Sequence, residues 1–274
     1  MGARLWLFLP TYNEAGNVEG IVRATAEQLE RAAPANWRVL VVDDGSPDGT
    51  GEVADRLAAE NERVEVLHRP GKEGLGNAYL AGFARALEGG AERVVVMDAD
   101  FSHDPEHLPA LIAEAESADL VLGSRYVDGG AIADWPPVRR LLSRWGSAYA
   151  RRILGVKVGD LTTGFRCVRR EVLEAVEPST LRAQGYVFNI ELTYRALLAG
   201  FRVAEIPITF RDRTEGDSKM SLPIAIEALL LVPKLRRLRR PARAGQRWRL
   251  PRWRGRAQSV LGSPGAESAG ESDG

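Results

Sequence analysis

Residues 94–100 read VVVMDAD, an apolar run that ends directly in two aspartates with one alanine between them. Apolar runs of similar length occur at residues 5–9, 39–42 and 120–122, and a weaker one at residues 64–67. Nearly every position in the strong runs is apolar, which is typical of parallel strands that helices cover on both faces. The runs therefore predict the strands of a buried parallel sheet.

Helical patterns separate these runs. The candidate helices are residues 18–31, 50–60, 75–88 and 105–116. Asn17, Asp48 and Asp104 stand where side chains cap helix starts, and Pro105 suits a first helical position. Strands that alternate with helices predict an α/β fold, with an open, mostly parallel sheet flanked by helices, over about the first 125 residues.

The rest of the chain predicts fewer elements. In order, they are a helix over 137–154, a loop over 160–166, a helix over 188–198, a strand over 203–210 and a last helix over 222–238. Little apolar sequence remains from residue 241 onward, so we expect a disordered tail there. We divide the chain into a globular domain at 1–220, an amphipathic helix at 221–240 and a tail, basic and then acidic, at 241–274.

The composition is that of a globular protein. The 274 residues, 45% of them hydrophobic and 27% charged, are enough to bury one sizeable core. The single cysteine, Cys167, excludes an intrachain disulfide and a zinc cluster built on thiolates, which favours a reducing, cytosolic compartment. The apolar run that ends at Pro10 is too short for a signal peptide, and no run of about 18 apolar residues predicts a membrane span.

Charge is balanced in total but unevenly distributed. The chain has 37 lysines and arginines against 37 acidic residues, yet residues 234–256 contain 11 of the basic residues and no acidic one. Such a block predicts contact with an anionic surface, either phospholipid or nucleic acid.

Polar residues follow four of the predicted strands, at the edge where open parallel sheets bind ligands. They are found at 10–14, 43–45, 98–100 and 123–125. Asp98 and Asp100 would project two carboxylates into this crevice, where a hard cation such as Mg²⁺ or Mn²⁺ takes oxygen ligands from protein and substrate phosphates. Taken alone, the pair is interpreted equally well as one helix cap and one solvated side chain.

The first two strand exits suit a nucleoside. Tyr12 and Glu14 could stack on a base and hydrogen-bond to it, and residues 43–50 offer a turn with acceptors for a ribose or a base edge. The alternative is that both segments only begin helices.

Two other patterns suggest sites that we do not favour. Residues 71–76 are rich in glycine but lack the spacing and the ending of a phosphate loop, so we interpret them as a mobile loop near the bound nucleotide. His103 and His107 stand four apart, as zinc ligands can, but we interpret them as surface histidines near a helix start.

Together the motifs resemble those of family 2 glycosyltransferases with a GT-A fold, and within them the dolichyl-phosphate (polyprenol-phosphate) mannose synthases. The strings that carry the resemblance are PTYNE (10–14), VDDGSPDGT (42–50), DADFSH (98–103), GSRY (123–126), WP (135–136) with Arg139, TTGFR (162–166), GYVF (185–188), and Arg213 with Gly216, Ser218 and Lys219. They extend over about the first 235 residues. The resemblance implies GDP-mannose as donor, a polyprenyl monophosphate lipid as acceptor, and Mg²⁺ or Mn²⁺ as metal.

The resemblance also implies roles for individual residues. Guanosine would be held by Pro10, Tyr12, Glu14, Val42 and Asp44, and the diphosphate with its metal by Asp98, Ala99 and Asp100. Arg125, Arg213 and Lys219 would face the phosphates. Some relatives have a glutamine where Ser102 stands, so the further contact to the metal would be the Ser102 hydroxyl or a water.

The implied acceptor needs no general base. A lipid monophosphate has a second pKa of about 6, so it is mostly a dianionic nucleophile at neutral pH. The catalytic residues would be those that position reactants and neutralise charge: Asp100, Arg125, Arg139 and Arg213. Arg139, with Arg125 nearby, is expected to bind the acceptor phosphate. The alternative is that Arg139 is an ordinary solvated residue of the helix. Direct attack would invert an α-linked donor to a β-linked product.

A lipid acceptor requires contact with a membrane surface. The predicted helix at 222–238 has an apolar run at 228–232 and then basic residues at 234–240, like an interfacial helix, although an ordinary amphipathic helix packed on the sheet fits equally well. We expect a peripheral protein at the cytoplasmic face, held by the bilayer or by a separate transmembrane partner subunit, and no nucleic-acid partner. The open alternatives are a family 2 transferase that uses a UDP-sugar and a sugar-nucleotide-binding module without turnover.

Overall fold

The structure, a computed structural model, describes residues 4–181, 185–212 and 222–238. The strands are β1 (Leu5–Thr11), β2 (Trp37–Asp43), β3 (Val64–His68), β4 (Arg93–Val96), β5 (Leu120–Ser124), β6 (Ala131–Ile132), β7 (Arg166–Arg169), β8 (Val203–Pro207) and β9 (Thr209–Phe210). The α-helices are α1 (Val18–Ala32), α2 (Thr50–Glu60), α3 (Leu75–Glu88), α4 (Leu108–Glu114), α5 (Pro137–Leu154), α6 (Arg170–Val176), α7 (Gly185–Leu198) and α8 (Leu222–Leu235). Short 3-10 helices cover Pro105–His107, Pro178–Thr180 and Arg236–Leu238.

A seven-stranded sheet forms the centre of the molecule, in the order β3-β2-β1-β4-β7-β5-β8. Every neighbouring pair is parallel except those made by β7, which runs antiparallel to both β4 and β5. β6 and β9 form a separate two-stranded parallel ribbon. The prediction of an open, mostly parallel sheet flanked by helices is confirmed.

Helices cover both faces of the large sheet, which explains why its strands are apolar at nearly every position. Trp6 and Phe8 of β1 pack on one face with residues of α3, α5, α6, α7 and α8. Leu7 and Leu9 pack on the other face with residues of α1, α2 and α4. Successive side chains of a strand point to opposite faces, so a strand between two helical layers must be apolar on both.

Three details of the predicted elements were wrong. β6, β7 and α6 were not predicted, and the strand expected over 203–210 is two strands, β8 and β9, in different sheets. The helix expected over 105–116 begins as a 3-10 turn and ends at Glu114.

The predicted helix caps have mixed outcomes. The side chain of Asp104 accepts a hydrogen bond from the Glu106 backbone N–H, as expected of a cap. Asn17 does not cap α1, because its amide Nδ2 donates to Glu14 Oε2 at 2.9 Å instead. Asp48 lies one residue before the first-turn cap position of α2, and its carboxylate accepts from the Thr50 N–H and hydroxyl.

In the described ranges, no helix is both long enough and apolar enough to cross a membrane. The helix predicted over 222–238 is present as α8 and the 3-10 turn that follows it. The tail predicted from residue 241 and the boundary placed at residue 220 lie outside the described residues.

Two glycines inside helices test how closely α3 packs on β1. A Cβ at Gly82 would lie 2.8 Å from the Phe8 ring, whereas a Cβ at Gly146 of α5 meets nothing within 4 Å. We expect Gly82→Ala to lower the free energy of unfolding by about 1–2 kcal/mol, because overpacking exceeds the gain in helix propensity. The matched Gly146→Ala should raise it by up to about 1 kcal/mol. Urea denaturation measures both, and equal effects would contradict the packing described.

Candidate functional site

Hydrogen bonds join the exits of β1 and β2. The Asp44 N–H donates to the Thr11 carbonyl at 3.0 Å, and the Glu14 N–H donates to the Thr50 hydroxyl at 2.9 Å. Pro10 and Val42 face each other in the register of the two strands. The five residues predicted to hold guanosine therefore lie on adjoining segments, although the buried Val42 side chain leaves only its backbone for a ligand.

Asp44 is a buried carboxylate paired with a buried arginine. The Arg69 guanidinium donates to Asp44 Oδ1 and, at 2.7 Å, to Glu73 Oε2. Burial raises the pKa of Asp44, and the pairing with Arg69 opposes that rise. Arg69 was not predicted as a site residue, because its pairing with Asp44 depends on the fold that brings residues 69 and 44 together.

The segment predicted to be a mobile loop lies against the same exits. A Cβ on Gly45, whose φ is +66°, would stand 3.0 Å from Gly71 Cα. The Lys72 ammonium lies over the Tyr12 ring, 4.2 Å from its centroid. The loop is therefore next to the predicted nucleoside residues, and its mobility remains a prediction.

The two aspartates after β4 differ in exposure. The Asp98 side chain is 31% exposed, whereas Asp100 is buried and accepts a hydrogen bond from the Ser102 N–H at 3.1 Å. Gly164 lies beside Asp98. A Cβ on this residue would stand 3.5 Å from both carboxylate oxygens. This cleared space leaves Asp98 accessible to a ligand.

These groups fit a hard divalent cation that shares its ligands with a substrate. Asp98, Asp100 and the Ser102 hydroxyl offer oxygen atoms only, and one or two carboxylates completed by phosphates and waters is the shell that Mg²⁺ favours. No group of three or more His, Cys, Asp or Glu residues that could hold a metal ion occurs in the parts of the chain that are described.

The prediction that His103 is a surface residue was wrong. Its side chain is 2% exposed, stacked on Phe165 and edge-on to Phe210, and its Nδ1 lies 3.8 Å from Asp98 Oδ2. Burial lowers the pKa of His103, and the charges of Asp98 and Asp100 oppose that shift. Sequence alone could not place it, because Phe165 and Phe210 come from distant parts of the chain.

His107 is half-buried and has a structural role. Its Nε2 accepts a hydrogen bond from the Thr209 N–H at 3.1 Å, which requires that nitrogen to carry no proton. Burial lowers the pKa of His107, in agreement with the neutral ring that this hydrogen bond requires.

Arg125, at the end of β5, is held by a buried carboxylate. Its Nε and one terminal nitrogen donate to the two oxygens of Asp160 at 2.7 and 2.9 Å, and the same terminal nitrogen donates to the Thr162 hydroxyl. Burial alone would raise the pKa of Asp160, but the charge and hydrogen bonds of Arg125 outweigh burial and lower it. Glu205 in turn accepts from the Gly159 and Asp160 N–H groups.

Arg139 shares an aromatic cluster with Arg125. Its guanidinium lies 3.9 Å from the Trp135 ring centroid, and it donates to both oxygens of Asp212 at 3.1 and 3.2 Å. Trp135 meets Phe210 edge-on, and Phe210 faces Arg125 at 5.2 Å. The two predicted arginines are therefore near each other, while Arg213 and Lys219 lie outside the described residues.

An exposed apolar stripe on α5 was missed. Val138, Leu141, Leu142 and Trp145 are each between 59% and 69% exposed. Their spacing of three, four and seven residues puts them on one face of the helix. The stripe is next to α8, because the hydroxyl of Tyr149, whose ring stacks on Trp145, donates to the Leu229 carbonyl. The helical period in the sequence was a sufficient signal for it.

The sequence profile described as Glycosyl transferase family 2 matches residues 6–177. The chain belongs to this family. It is 47% identical over 254 residues to the polyprenol monophosphomannose synthase of Mycolicibacterium smegmatis, covering 92% of this chain and 91% of the relative. It is 46% identical over 231 residues to the undecaprenyl-phosphate mannosyltransferase of Micrococcus luteus, covering 84% and 93%. The prediction of a family 2 glycosyltransferase is confirmed.

Solved structures support the fold of this glycosyltransferase. Glucosyl-3-phosphoglycerate synthase from Mycobacterium tuberculosis, in complex with Mn²⁺, UDP and glucosyl-3-phosphoglycerate, superposes with a TM-score of 0.59 at 21% identity, covering 85% of this chain and 81% of that one. TarS residues 1–349 from S. aureus give 0.55 at 16% identity, covering 85% and 65%. At such identities the likeness concerns the fold alone, and it confirms the predicted GT-A architecture.

The Arg125–Asp160 pair should contribute strongly to the stability of the glycosyltransferase. We expect Asp160→Asn to lower the free energy of unfolding by about 3–5 kcal/mol, because it leaves the Arg125 charge buried without its partner. Glu27→Gln, which breaks an exposed pair with Arg31, should cost less than about 1 kcal/mol. Urea denaturation at neutral pH measures both.

The sign of the pH dependence follows from the lowered pKa of Asp160. The contribution of the Asp160 carboxylate to the free energy of unfolding is complete above the ordinary carboxyl pKa of about 3.9. It is lost as the pH falls through the lower pKa of the folded state. A loss below about 1 kcal/mol for Asp160→Asn at neutral pH would contradict this account.

Proposed function

We propose that this glycosyltransferase transfers mannose from GDP-mannose to a polyprenyl monophosphate, with inversion and with Mg²⁺ or Mn²⁺. The observation that carries the proposal is the convergence of the Asp98 and Asp100 carboxylates with Arg125 and Arg139 around one aromatic cluster. The names of the two relatives supply the sugar and the type of acceptor. Residues 1–220 would form the catalytic domain, 221–240 an amphipathic helix at the membrane interface, and 241–274 a basic and then acidic tail.

The donor nucleoside would bind at the exits of β1 and β2. Tyr12 offers a ring face on which a base could stack. The Lys72 ammonium lies over this ring, so Lys72 would move aside or lie on the opposite side of the stacked base. Burial raises the pKa of Asp44 and Arg69 opposes that rise, so the ion pair favours the ionised form, which accepts hydrogen bonds from base or ribose N–H and O–H groups. Pro10, Glu14 and Val42 complete the walls of this subsite.

The diphosphate would bind beside Asp98, Ala99 and Asp100. A divalent cation held there by the two aspartates and Ser102 would neutralise the charge that develops on the leaving GDP. Asp100 accepts a hydrogen bond from the Ser102 N–H, which orients its carboxylate. Arg213 and Lys219 are proposed to face the same phosphates.

The acceptor phosphate would bind at Arg139 and Arg125. The Arg139 guanidinium lies over the Trp135 ring and pairs with Asp212, so an acceptor phosphate would compete with Asp212 for its N–H groups. Because the acceptor is already dianionic, these residues only need to orient it for attack on the anomeric carbon opposite the GDP. Attack from that side turns the α-linked donor into a β-linked lipid product.

The exposed stripe on α5 would contact the bilayer. Single exposed apolar residues are normal on a protein surface, but four on one helix face mark a contact surface. The exposed Leu230 of α8 and the exposed basic residues Lys234, Arg236 and Arg237 extend it with apolar and cationic groups, which suits an anionic leaflet. The protein would then be peripheral at the cytoplasmic face, held by this surface or together with a transmembrane partner subunit.

Sugar transfer in vitro tests the activity. With labelled GDP-mannose, a polyprenyl phosphate and Mn²⁺, we expect transfer to lipid that Asp100→Asn reduces at least about 100-fold, because half of the charge that holds the cation is lost. Asp104→Asn is the matched control, since an asparagine caps the turn equally well, and it should retain full rate. Transfer from UDP-glucose in preference to GDP-mannose, or full activity of Asp100→Asn, would contradict the proposal.

Vesicle binding tests the membrane surface. We expect Leu141→Glu and Trp145→Glu each to weaken binding to vesicles of phosphatidylglycerol by about ten-fold or more, because each removes apolar area from the contact. The control is Ala113→Glu. It adds the same charge at an exposed position of α4, which covers the opposite face of the sheet. Equal binding of all three variants would show that α5 does not contact the lipid.

A further inference from the structure

The imidazole of His103 is fixed in place between two rings. Phe165 stacks on it at a centroid distance of 5.4 Å and an interplanar angle of 22°, and Phe210 meets it edge-on at 5.2 Å. The backbones of His103 and Phe210 also form an isolated β-bridge. The ring therefore has little freedom to rotate, and its nitrogens point in directions that the fold determines.

One nitrogen of this ring has no partner in the described part of the chain. Nδ1 is buried and makes no hydrogen bond, although buried polar groups are nearly always satisfied. The nearest carboxylate oxygen is Asp98 Oδ2 at 3.8 Å, slightly beyond hydrogen-bonding distance. A small movement of the Asp98 side chain, which is partly exposed, would close this gap.

A hydrogen bond from His103 would orient the Asp98 carboxylate. The carboxylate lies against Gly164, where an added Cβ would stand 3.5 Å from both of its oxygens. Carboxylates that bind metals are commonly oriented by a hydrogen bond from a second residue, and loss of that bond weakens metal binding. Asp100 already has such a bond, from the Ser102 N–H.

We propose that His103 is the positioning residue for Asp98, with its Nδ1–H donating to the Asp98 carboxylate when a cation and the nucleotide diphosphate are bound. A carboxylate acceptor favours the tautomer that carries the proton on Nδ1. His103 would then orient Asp98 as the Ser102 N–H orients Asp100. The rings of Phe165 and Phe210 would fix the direction in which Nδ1–H points. This inference rests on the proposed metal site.

Three substitutions of His103 separate the hydrogen bond from the packing of the ring. His103→Phe keeps an aromatic ring and removes the nitrogens. His103→Asn removes the ring but can place an amide nitrogen near the position of Nδ1, whereas the longer His103→Gln places it near the position of Nε2. Folding of each variant is checked by its melting temperature without metal.

The measurement is Mn²⁺ binding in the presence of GDP, followed by electron paramagnetic resonance without acceptor or turnover. We expect His103→Phe and His103→Gln to bind Mn²⁺ about 10- to 100-fold more weakly than wild type, and His103→Asn to stay within about three-fold. In transfer assays the Mn²⁺ concentration for half-maximal rate should rise in the same order.

Each other outcome overturns the inference. If folded His103→Phe binds Mn²⁺ as tightly as wild type, the ring acts by packing alone. Equal losses of Mn²⁺ affinity in His103→Asn and His103→Gln would show the same. Wild type that binds GDP but no Mn²⁺ would remove the metal site of the proposed function, and the role of His103 with it. The first two results leave the proposed function intact, so the two failures are distinguishable.

Discussion

The buried ion pair between Arg125 and Asp160 is the interaction on which the site depends. Asp160 lies in the loop that leads into β7, and β7 enters the sheet between β4 and β5. The pair therefore fixes the end of β5 to the start of the one antiparallel strand, at the edge where Asp98 also lies. Without it, the loop that carries Gly164 and Phe165 would lose its anchor, and Asp98 would lose the surface against which it rests.

A second constraint is the balance of charge at this edge. Each of three arginines close to the site has an acidic partner: Arg69 with Asp44, Arg125 with Asp160, and Arg139 with Asp212. These pairs are neutral in sum, so they orient ligands more than they add positive potential. A pyrophosphate and a lipid phosphate bring several negative charges to the same place. This arrangement explains physically why a cation at Asp98 and Asp100 would be required, and why basic residues beyond position 212 matter to the proposal.

Sequence patterns predicted most of the fold, because its helices and central strands have simple periods. The helices Thr50–Glu60 and Pro137–Leu154 begin and end where expected. β7 was missed because Arg166 reads as a surface residue, although it is fully buried and bonded to the Thr163 and Asn189 carbonyls. The predicted site residues at the strand exits meet at one edge, whereas the partners of His103 and Arg125 could not be identified, since they are contributed by distant segments.

The position of Arg139 on α5 has a consequence for the proposed acceptor. Val138, the first residue of the exposed stripe, is its immediate neighbour, so a phosphate at Arg139 would stay at headgroup depth while the isoprenoid remains among the acyl chains. The hydrocarbon would never need to be extracted into a protein cavity. Such an enzyme would not select its acceptor by the length of the isoprenoid chain, so short and long prenyl phosphates should be nearly equivalent substrates.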